Sequence, residues 1–272
     1  MDDKRFDLES LFRLPADPEK GRSAERDMTR RALISALPTY ALRNGHVLTA
    51  LHDPQSPATE QYRTVKARLD YLSRTEGRPI HTIVITSPSP SDGKTITALN
   101  LALVLAQDES KAVIIIDADL RKPGLRDYFQ HRPKLGLIEL LAREIGLSAG
   151  LFRLDGSRLV VLPSGARATN PAELLSSSKM EELLRVLASR FDYVILDTPP
   201  VGTFVDADEL AAVADATILV VRSGQTLRRR VAAAVETISK HRFLGVILND
   251  VRHTPLDRYY NRREYYDYPK KR

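Results

Sequence analysis

The stretch TSPSPSDGKT, residues 86–95, decides the fold of this chain. It begins at the end of an apolar run, HTIVITS at 81–87, and it opens a segment of helical periodicity. A loop of small residues in this position presents its backbone N–H groups and a helix N-terminus as a cradle for anions. Lys94 is placed to reach nucleotide phosphates, and Thr95 to offer its hydroxyl to Mg²⁺. Pro88 holds the place of the usual first glycine, so an ordinary loop-to-helix turn remains an alternative for this stretch alone.

Five further apolar runs rich in isoleucine and valine follow along the chain. They are short and largely unbroken by polar residues, as expected of strands buried on both faces of a parallel sheet. Helical periodicity separates the strands, for example at 95–106 and 227–240. The alternation predicts an α/β fold, a three-layer P-loop NTPase arrangement with a mainly parallel central sheet and helices on both faces. The runs are AVIIID (112–117), RLVVLP (158–163), YVILD (193–197), ATILVV (216–221) and FLGVILN (243–249).

The composition is that of a globular protein, with 43% apolar residues in a chain of 272. No apolar run approaches the roughly 20 residues that a membrane span needs, and the charged start, MDDKRFDLES, lacks the apolar core of a signal peptide. Without cysteine there is no disulfide framework or thiolate metal site, which fits a reducing cytoplasm. Of the net charge of +6, residues 252–272 carry +4, seven Lys/Arg minus three Asp/Glu. Because the excess lies mainly there, we expect no nucleic-acid partner.

Carboxylates follow two of the predicted strands. IIIDADLRKP contains Asp117 and Asp119, which are two residues apart and therefore point to the same side of an extended chain. VILDTPP ends its strand with Asp197, a position at which P-loop enzymes hold a metal ion. Each carboxylate alone could be a helix N-cap, but a cap accounts for only one of the two beside Arg121. Ligands of such sheets bind at the carboxyl ends of strands, so we expect the three carboxylates to meet the lysine loop.

These three stretches together resemble the Walker A, Walker A′ and Walker B motifs of bacterial tyrosine kinases, the P-loop kinases of polysaccharide export. The resemblance covers the chain from residue 57 to its end, and it implies the free-standing form, which works with a separate membrane partner. It also includes EQYRTVKARL (60–69), NPAELLSSSKMEELL (170–184) and DADELAAVADATILVVRSGQT (206–226). The chain is thereby divided into an N-terminal extension that is a docking arm or partly disordered (1–56), a kinase domain (57–250) and a flexible tail (251–272).

Two of these resemblances have a purely structural alternative. Asn170 followed by Pro171, with Glu173 next, is also an ordinary helix start, with an N-cap, a proline in the first position and an acid in the first turn. We favour that interpretation for Asn170. Asp206 has the same alternative, a helix N-cap with no further role.

The resemblance implies an ATP-dependent protein-tyrosine autokinase that uses ATP and Mg²⁺. In that interpretation Lys94, Asp117 and Arg121 are catalytic, and Thr95, Asp119 and Asp197 hold the metal directly or through water. Asp117 orients the tyrosine hydroxyl and takes its proton late, because the ordinary pKa values of tyrosine and aspartate differ by about 6. The nucleotide-binding residues are Ser91, Asp92, Gly93, Lys94, Thr95 and Ile96.

The tail YYNRREYYDYPKKR holds half of the ten tyrosines of the chain. A basic tail alone is most simply a solvated, disordered end, but the resemblance implies an autophosphorylation cluster that a neighbouring subunit modifies. The phosphoacceptors are then Tyr259, Tyr260, Tyr265, Tyr266 and Tyr268. The implied partners are other copies in an oligomer, a membrane-embedded polysaccharide co-polymerase or adaptor, and a cognate phosphatase. The kinase is accordingly expected in the cytoplasm, recruited to the inner face of the membrane.

A helical face comprising Glu60, Arg63 and Lys66 resembles the Glu-x-x-Arg-x-x-Arg face that joins subunits of these kinases into a ring. Lys66 stands where the family has arginine, and lysine cannot make the bidentate contact. Two other functions remain open. A partition or positioning ATPase of the same fold carries a second loop lysine five residues before the main one, where this chain has Ser89. An adaptor that binds without catalysis would not need the intact set of lysine, threonine and carboxylates.

Overall fold

The protein is described by a computed structural model that covers residues 32, 34–45, 48–131, 133–142 and 145–251. Within these residues eight strands form one sheet in the order β1-β4-β5-β3-β6-β2-β7-β8. Neighbouring strands from β5 to β8 in this order are parallel, β1 is parallel to β4, and β4 pairs antiparallel with β5. The strands are β1 Thr39–Tyr40, β2 Thr82–Thr86, β3 Val113–Asp117, β4 Phe152–Leu154, β5 Val160–Leu162, β6 Tyr193–Asp197, β7 Ala216–Arg222 and β8 Phe243–Asn249.

Helices cover both faces of the sheet, which confirms the predicted three-layer P-loop NTPase fold. One apolar core lies beneath α2 and α3, and a second lies on the opposite face beneath α7. Strands β2, β3 and β6 are buried along their whole length, because helices pack on both of their faces. The helices are α1 Thr49–His52, α2 Pro57–Thr75, α3 Lys94–Ala106, α4 Leu137–Leu141, α5 Leu147–Gly150, α6 Pro171–Leu175, α7 Ser178–Arg190, α8 Asp206–Val213 and α9 Arg228–Ile238.

Helix α3 is the central helix, and its sequence explains its position. Ten of its residues, Thr97 to Ala106, are buried, because it is apolar on nearly every side and α2 covers its outer face. Helix α2 begins at an N-cap, Ser56, whose hydroxyl accepts a hydrogen bond from the backbone N–H of Thr59. Leu69 and Leu72 on its inner face are buried against α3 and the sheet. This packing fixes the N-terminus of α3, and with it Lys94, at the carboxyl edge of β2.

The segment predicted as an N-terminal extension contributes to the domain in its second half. Residues 39–40 form the edge strand β1, which pairs with β4, and Leu48 is wholly buried in the core beneath α3. The five tail tyrosines lie outside the described residues. Among the residues that are described, no helix is both long enough and apolar enough to cross a membrane.

Candidate active site

The loop between β2 and α3 has the backbone conformation of an anion cradle. Ser91 and Gly93 both lie in the left-handed region, with φ of 67° and 93°. A Cβ at Gly93 would stand 1.9 Å from the Asn249 amide nitrogen, so this position requires glycine. That same amide nitrogen donates to the carbonyl of Asp92 at 3.0 Å. The end of β8 therefore holds the loop in place from behind.

The side chain of Asp92 is a second anchor for the loop. It is 4% exposed, and its carboxylate accepts hydrogen bonds from the backbone N–H of Ser89 at 3.0 Å and from the Thr226 hydroxyl at 2.7 Å. Thr226 follows β7, so residues at the ends of both β7 and β8 brace the loop. Ile96, in the first turn of α3, packs partly buried against the core.

One lysine and three carboxylates meet at the carboxyl ends of β2, β3 and β6. The Lys94 ammonium donates to Asp119 at 2.9 Å and lies 4.0 Å from the nearer oxygen of Asp197. The Thr95 hydroxyl donates to the other oxygen of Asp197 at 2.6 Å. Asp117, the last residue of β3, stands in register with Asp197, the last residue of β6. The structure thus brings together the predicted lysine, threonine and carboxylates.

Burial makes this carboxylate group electrostatically strained. Desolvation raises the pKa of Asp117 well above its ordinary range, and the charges of Asp197 and Asp119 raise it further. Burial likewise raises the pKa of Asp197 to about 6, although Lys94 and the Thr95 hydroxyl act in the opposite direction. For Lys94, burial lowers the pKa, but Asp197 and Asp119 outweigh it and the net shift is upward. One ammonium does not neutralise three buried carboxylates, so the site favours additional positive charge.

The donor set fits Mg²⁺ bound together with a nucleotide. One oxygen of Asp117 and one of Asp197 are buried with no hydrogen-bond partner among the described residues. The described chain has no group of three or more His, Cys, Asp or Glu side chains arranged as a complete metal site. Mg²⁺ is usually held by one or two carboxylates plus substrate phosphates and water rather than by an all-protein cage. Thr95 and Asp197 supply such a partial set.

Arg121 lies beside this group and is fixed by a buried partner. Its guanidinium donates to both oxygens of Asp206, at 2.7 and 2.9 Å, and it stacks 4.2 Å from the ring centroid of Phe204. The hydrogen bonds to Asp206 raise the pKa of Arg121 above its ordinary value. Helix α8 begins at Asp206 and its N-cap residue is Val205. The N-cap interpretation of Asp206 is therefore wrong, because this fully buried carboxylate is the counterion of Arg121.

The remaining predicted positions lie away from the active-site carboxylates Asp117, Asp119 and Asp197. Asn170 occupies the N-cap position of α6 as favoured, but its side chain donates to Glu173 at 2.9 Å instead of accepting from the backbone. On α2, Arg63 pairs with Glu60, and Lys66 donates to Asp70 at 3.2 Å. The Lys66 ammonium also lies 3.7 Å from Asp108, just past the C-terminal end of α3. This face is therefore about 20 Å from Lys94, one helix length away.

Comparison with known proteins places this geometry in a family. A family model described as an AAA domain matches residues 80–242, more than half of the chain. Tyrosine-protein kinase YwqD of Bacillus subtilis is 40% identical over 202 residues, which cover 74% of this chain and 84% of that protein. The chain belongs to the bacterial tyrosine kinase family. It is a protein-tyrosine kinase.

A solved structure and a longer relative agree with this assignment. The kinase domain of the Escherichia coli tyrosine kinase ETK superposes with a TM-score of 0.72 at 28% identity, covering 78% of this kinase and 84% of that domain. The succinoglycan biosynthesis transport protein ExoP of Rhizobium meliloti is 35% identical over 211 residues, 76% of this kinase but 26% of ExoP. The family resemblance predicted from the three motifs is confirmed.

Sequence reasoning missed the residues that hold the kinase loops in place. Thr226 follows β7 and Asn249 is the last residue of β8. The rule that ligands sit at the carboxyl ends of strands could have drawn attention to them. The ion pair of Asp206 with Arg121 has no signal in the local sequence, because the two residues are 85 positions apart. Another missed contact joins the sheet to α2: the buried Tyr193 hydroxyl donates to Asp70 at 2.7 Å, and Asp70 in turn accepts from Lys66.

Proposed function

We propose that this kinase transfers the γ-phosphoryl group of ATP to the tyrosine cluster of its own C-terminal tail and acts in polysaccharide production. The observation that carries the proposal is the single Lys94 ammonium among three buried carboxylates beside a glycine-constrained loop. That arrangement suits a polyphosphate with a divalent cation, and the family supplies tyrosine as the acceptor. The name of ExoP supports the connection with polysaccharide.

The nucleotide phosphates bind residues 91–96, the loop and the first turn of α3. The backbone N–H groups of Gly93, Lys94 and Thr95 face the phosphates, and the Lys94 ammonium neutralises negative charge on the β–γ bridge. Thr95, Asp119 and Asp197 would hold Mg²⁺, directly or through water. When bound, Mg²⁺ supplies charge neutralisation for the leaving phosphate group.

Asp117 accepts the proton of the tyrosine hydroxyl that is phosphorylated. The tyrosine oxygen bonds to the γ-phosphorus as the bond to the bridging oxygen of ADP breaks, and the phenolic proton passes to an Asp117 oxygen. The raised pKa of Asp117, caused by burial and by Asp197, makes it a better proton acceptor than an exposed aspartate. Arg121 is held by Asp206 beside this position, where its positive charge assists the transferring group.

The tail begins close to the nucleotide site of its own chain. Asn249 contacts the loop at Asp92, and Tyr259 follows ten residues later, so an extended segment reaches about 34 Å. Length therefore permits both transfer within one chain and transfer to a neighbour, and the family favours the neighbour. Glu60, Arg63 and Lys66 are proposed to join the subunits, around a surface cavity of about 430 Å³ that Arg63 and Lys66 line. The proposed partners are a membrane-embedded co-polymerase or adaptor, which recruits the kinase to the inner face of the membrane, and a phosphatase.

A two-component mixing experiment tests the proposal. The Lys94→Met protein carries an intact tail but no donor site, whereas a variant with its five tail tyrosines changed to phenylalanine carries the donor site alone. Transfer between chains predicts phosphotyrosine on the Lys94→Met tail only in the mixture with Mg-ATP, located by mass spectrometry. Phosphotyrosine in wild type but none in the mixture would restrict transfer to one chain. ATP hydrolysis without phosphotyrosine in any sample would favour the partition-type ATPase.

A further inference from the structure

Helix α9 brings a positive charge to the phosphate loop from the side opposite the carboxylates. It begins with three consecutive exposed arginines, Arg228, Arg229 and Arg230, at the end where the helix dipole disfavours cations. The guanidinium groups of the first two make no hydrogen bond or ion pair with the residues that the structure describes. The guanidinium of Arg230 donates to the Ser89 hydroxyl at 3.1 Å. Ser89 lies in the loop five residues before Lys94 and is 8% exposed.

The partner of Arg230 distinguishes it from the other arginines of this region. Arg121 is bound to Asp206, Arg222 to Asp250 at 2.9 Å, and Arg242 to Glu76 at 2.7 Å. Arg230 has no carboxylate within ion-pair distance in the part of the chain that the structure describes, and its anchor is a neutral hydroxyl. A guanidinium has five N–H donors, and this contact uses one of them.

We propose that Arg230 is a further phosphate-binding residue of the kinase, whose guanidinium binds the terminal phosphate of ATP from the rim of the loop in the same chain. The Ser89 contact directs the side chain to the loop, and the remaining donors and the whole charge are available to phosphate oxygens. Ser89 also occupies the position at which partition ATPases of this fold carry their second lysine. In this kinase the corresponding charge comes from α9 instead of from the loop itself.

The alternative is a purely structural tie between α9 and the loop. In that case the hydrogen bond between Arg230 and the Ser89 hydroxyl only holds the loop in place, and removing either partner should lower nucleotide affinity by the same amount. A phosphate-binding Arg230 should instead matter more than its anchor, and a lysine in its place should restore part of the binding, because it keeps the charge. The two explanations therefore differ in how nucleotide affinity responds to Ser89→Ala and Arg230→Lys.

The experiment is calorimetric titration of the full chain with ATP and with ADP in the presence of Mg²⁺. Arg230→Ala should weaken ATP binding by about tenfold, as expected for a hydrogen bond to a charged group, and should weaken ADP binding less. Arg229→Ala is the matched control, since it removes the same charge from the adjacent exposed position, and it should stay within about twofold of wild type. Ser89→Ala should lose less than Arg230→Ala, and Arg230→Lys should recover part of the loss.

Two results would overturn this role. Equal affinities of Arg230→Ala and Arg229→Ala would show that only general charge matters, and equal losses in Ser89→Ala and Arg230→Ala would show a structural tie. The inference rests on the proposed nucleotide site, which Lys94→Met tests separately in the same titration. If Lys94→Met binds ATP as wild type does, the site itself is wrong. If Lys94→Met loses binding while Arg230→Ala matches its control, only the role of Arg230 fails.

Discussion

Replacing Asp197 by asparagine should stabilise the folded protein while abolishing phosphoryl transfer. The carboxylate is fully buried, and its pKa is raised from 3.8 to about 6 by burial even though Lys94 and Thr95 oppose the shift. A displacement of that size corresponds to roughly 3 kcal/mol against the ionised form in the folded state at neutral pH. Asparagine has the same shape, keeps an acceptor for the Thr95 hydroxyl and carries no charge. The unfolding free energy should therefore rise by about 3 kcal/mol, or roughly 6–12 °C in Tm for a domain of this size.

The pH dependence gives this prediction a sign that can be checked. Because the folded-state pKa of Asp197 is raised, ionising this carboxylate destabilises the folded protein. Below pH 3.8 the carboxyl group is protonated and this destabilisation is absent; the lost stability grows as the pH rises and is complete above about pH 6. The advantage of Asp197→Asn should thus be full at pH 7.5 and fall to about half at pH 5. Urea denaturation with a metal chelator at both pH values measures it, with the exposed Asp155→Asn as control. An advantage no larger than that of the control, or one unchanged at pH 5, would refute the reasoning that the buried charge strains the fold.

Three further outcomes are expected. Lys94→Met should keep the fold but show no tail phosphorylation by mass spectrometry, since its ammonium contacts the site and not the core; normal phosphorylation would remove Lys94 from the mechanism. Asp117→Asn should slow transfer and spare ATP binding, whereas Asp119→Asn should raise the Mg²⁺ concentration needed for half-maximal transfer, and identical Mg²⁺ titrations would contradict the division of roles. Phosphorylation of all five tyrosines should change the charge of residues 252–272 from +4 to about −3.5 to −6. Sedimentation should then find the unphosphorylated form larger at low salt, with a difference that shrinks as the salt concentration rises, and equal sizes throughout would mean that the tail is no switch.

The fold was largely predictable because the central strands are buried on both faces. Such strands appear in the sequence as unbroken apolar runs, and the six predicted runs correspond to β2, β3, β5, β6, β7 and β8. The edge strand β1 and the antiparallel β4 were not predicted. They have two and three residues, too few for a period-two pattern to be visible. Their place in the sheet depends on neighbours that a local pattern does not contain.

The site was predictable where function depends on residues at the carboxyl ends of paired strands. Asp117 and Asp197 end the paired strands β3 and β6, and Lys94 follows the loop after β2, so parallel pairing brings them together. The contact of Arg121 with Asp206 was not predictable, because it joins residues 85 positions apart and depends on how α8 packs beside the loop after β3. Local sequence around Asp206 is equally typical of a helix start, and only the burial of its carboxylate decides between the two.

The proline at the first position of the phosphate loop shows how a departure from the usual motif can be accommodated. Pro88 lacks a backbone N–H and has a fixed φ, so it cannot supply the close approach that glycine gives there. The backbone of Pro88 is instead approached closely by the backbone of Gly202, where an added Cβ would lie 2.7 Å from the Pro88 carbonyl oxygen. The backbone N–H of Val201 also donates to the Ser87 carbonyl at 3.0 Å. The loop after Asp197 therefore braces the start of the phosphate loop, as Asn249 braces its end, and the residue that must lack a Cβ at this contact is Gly202.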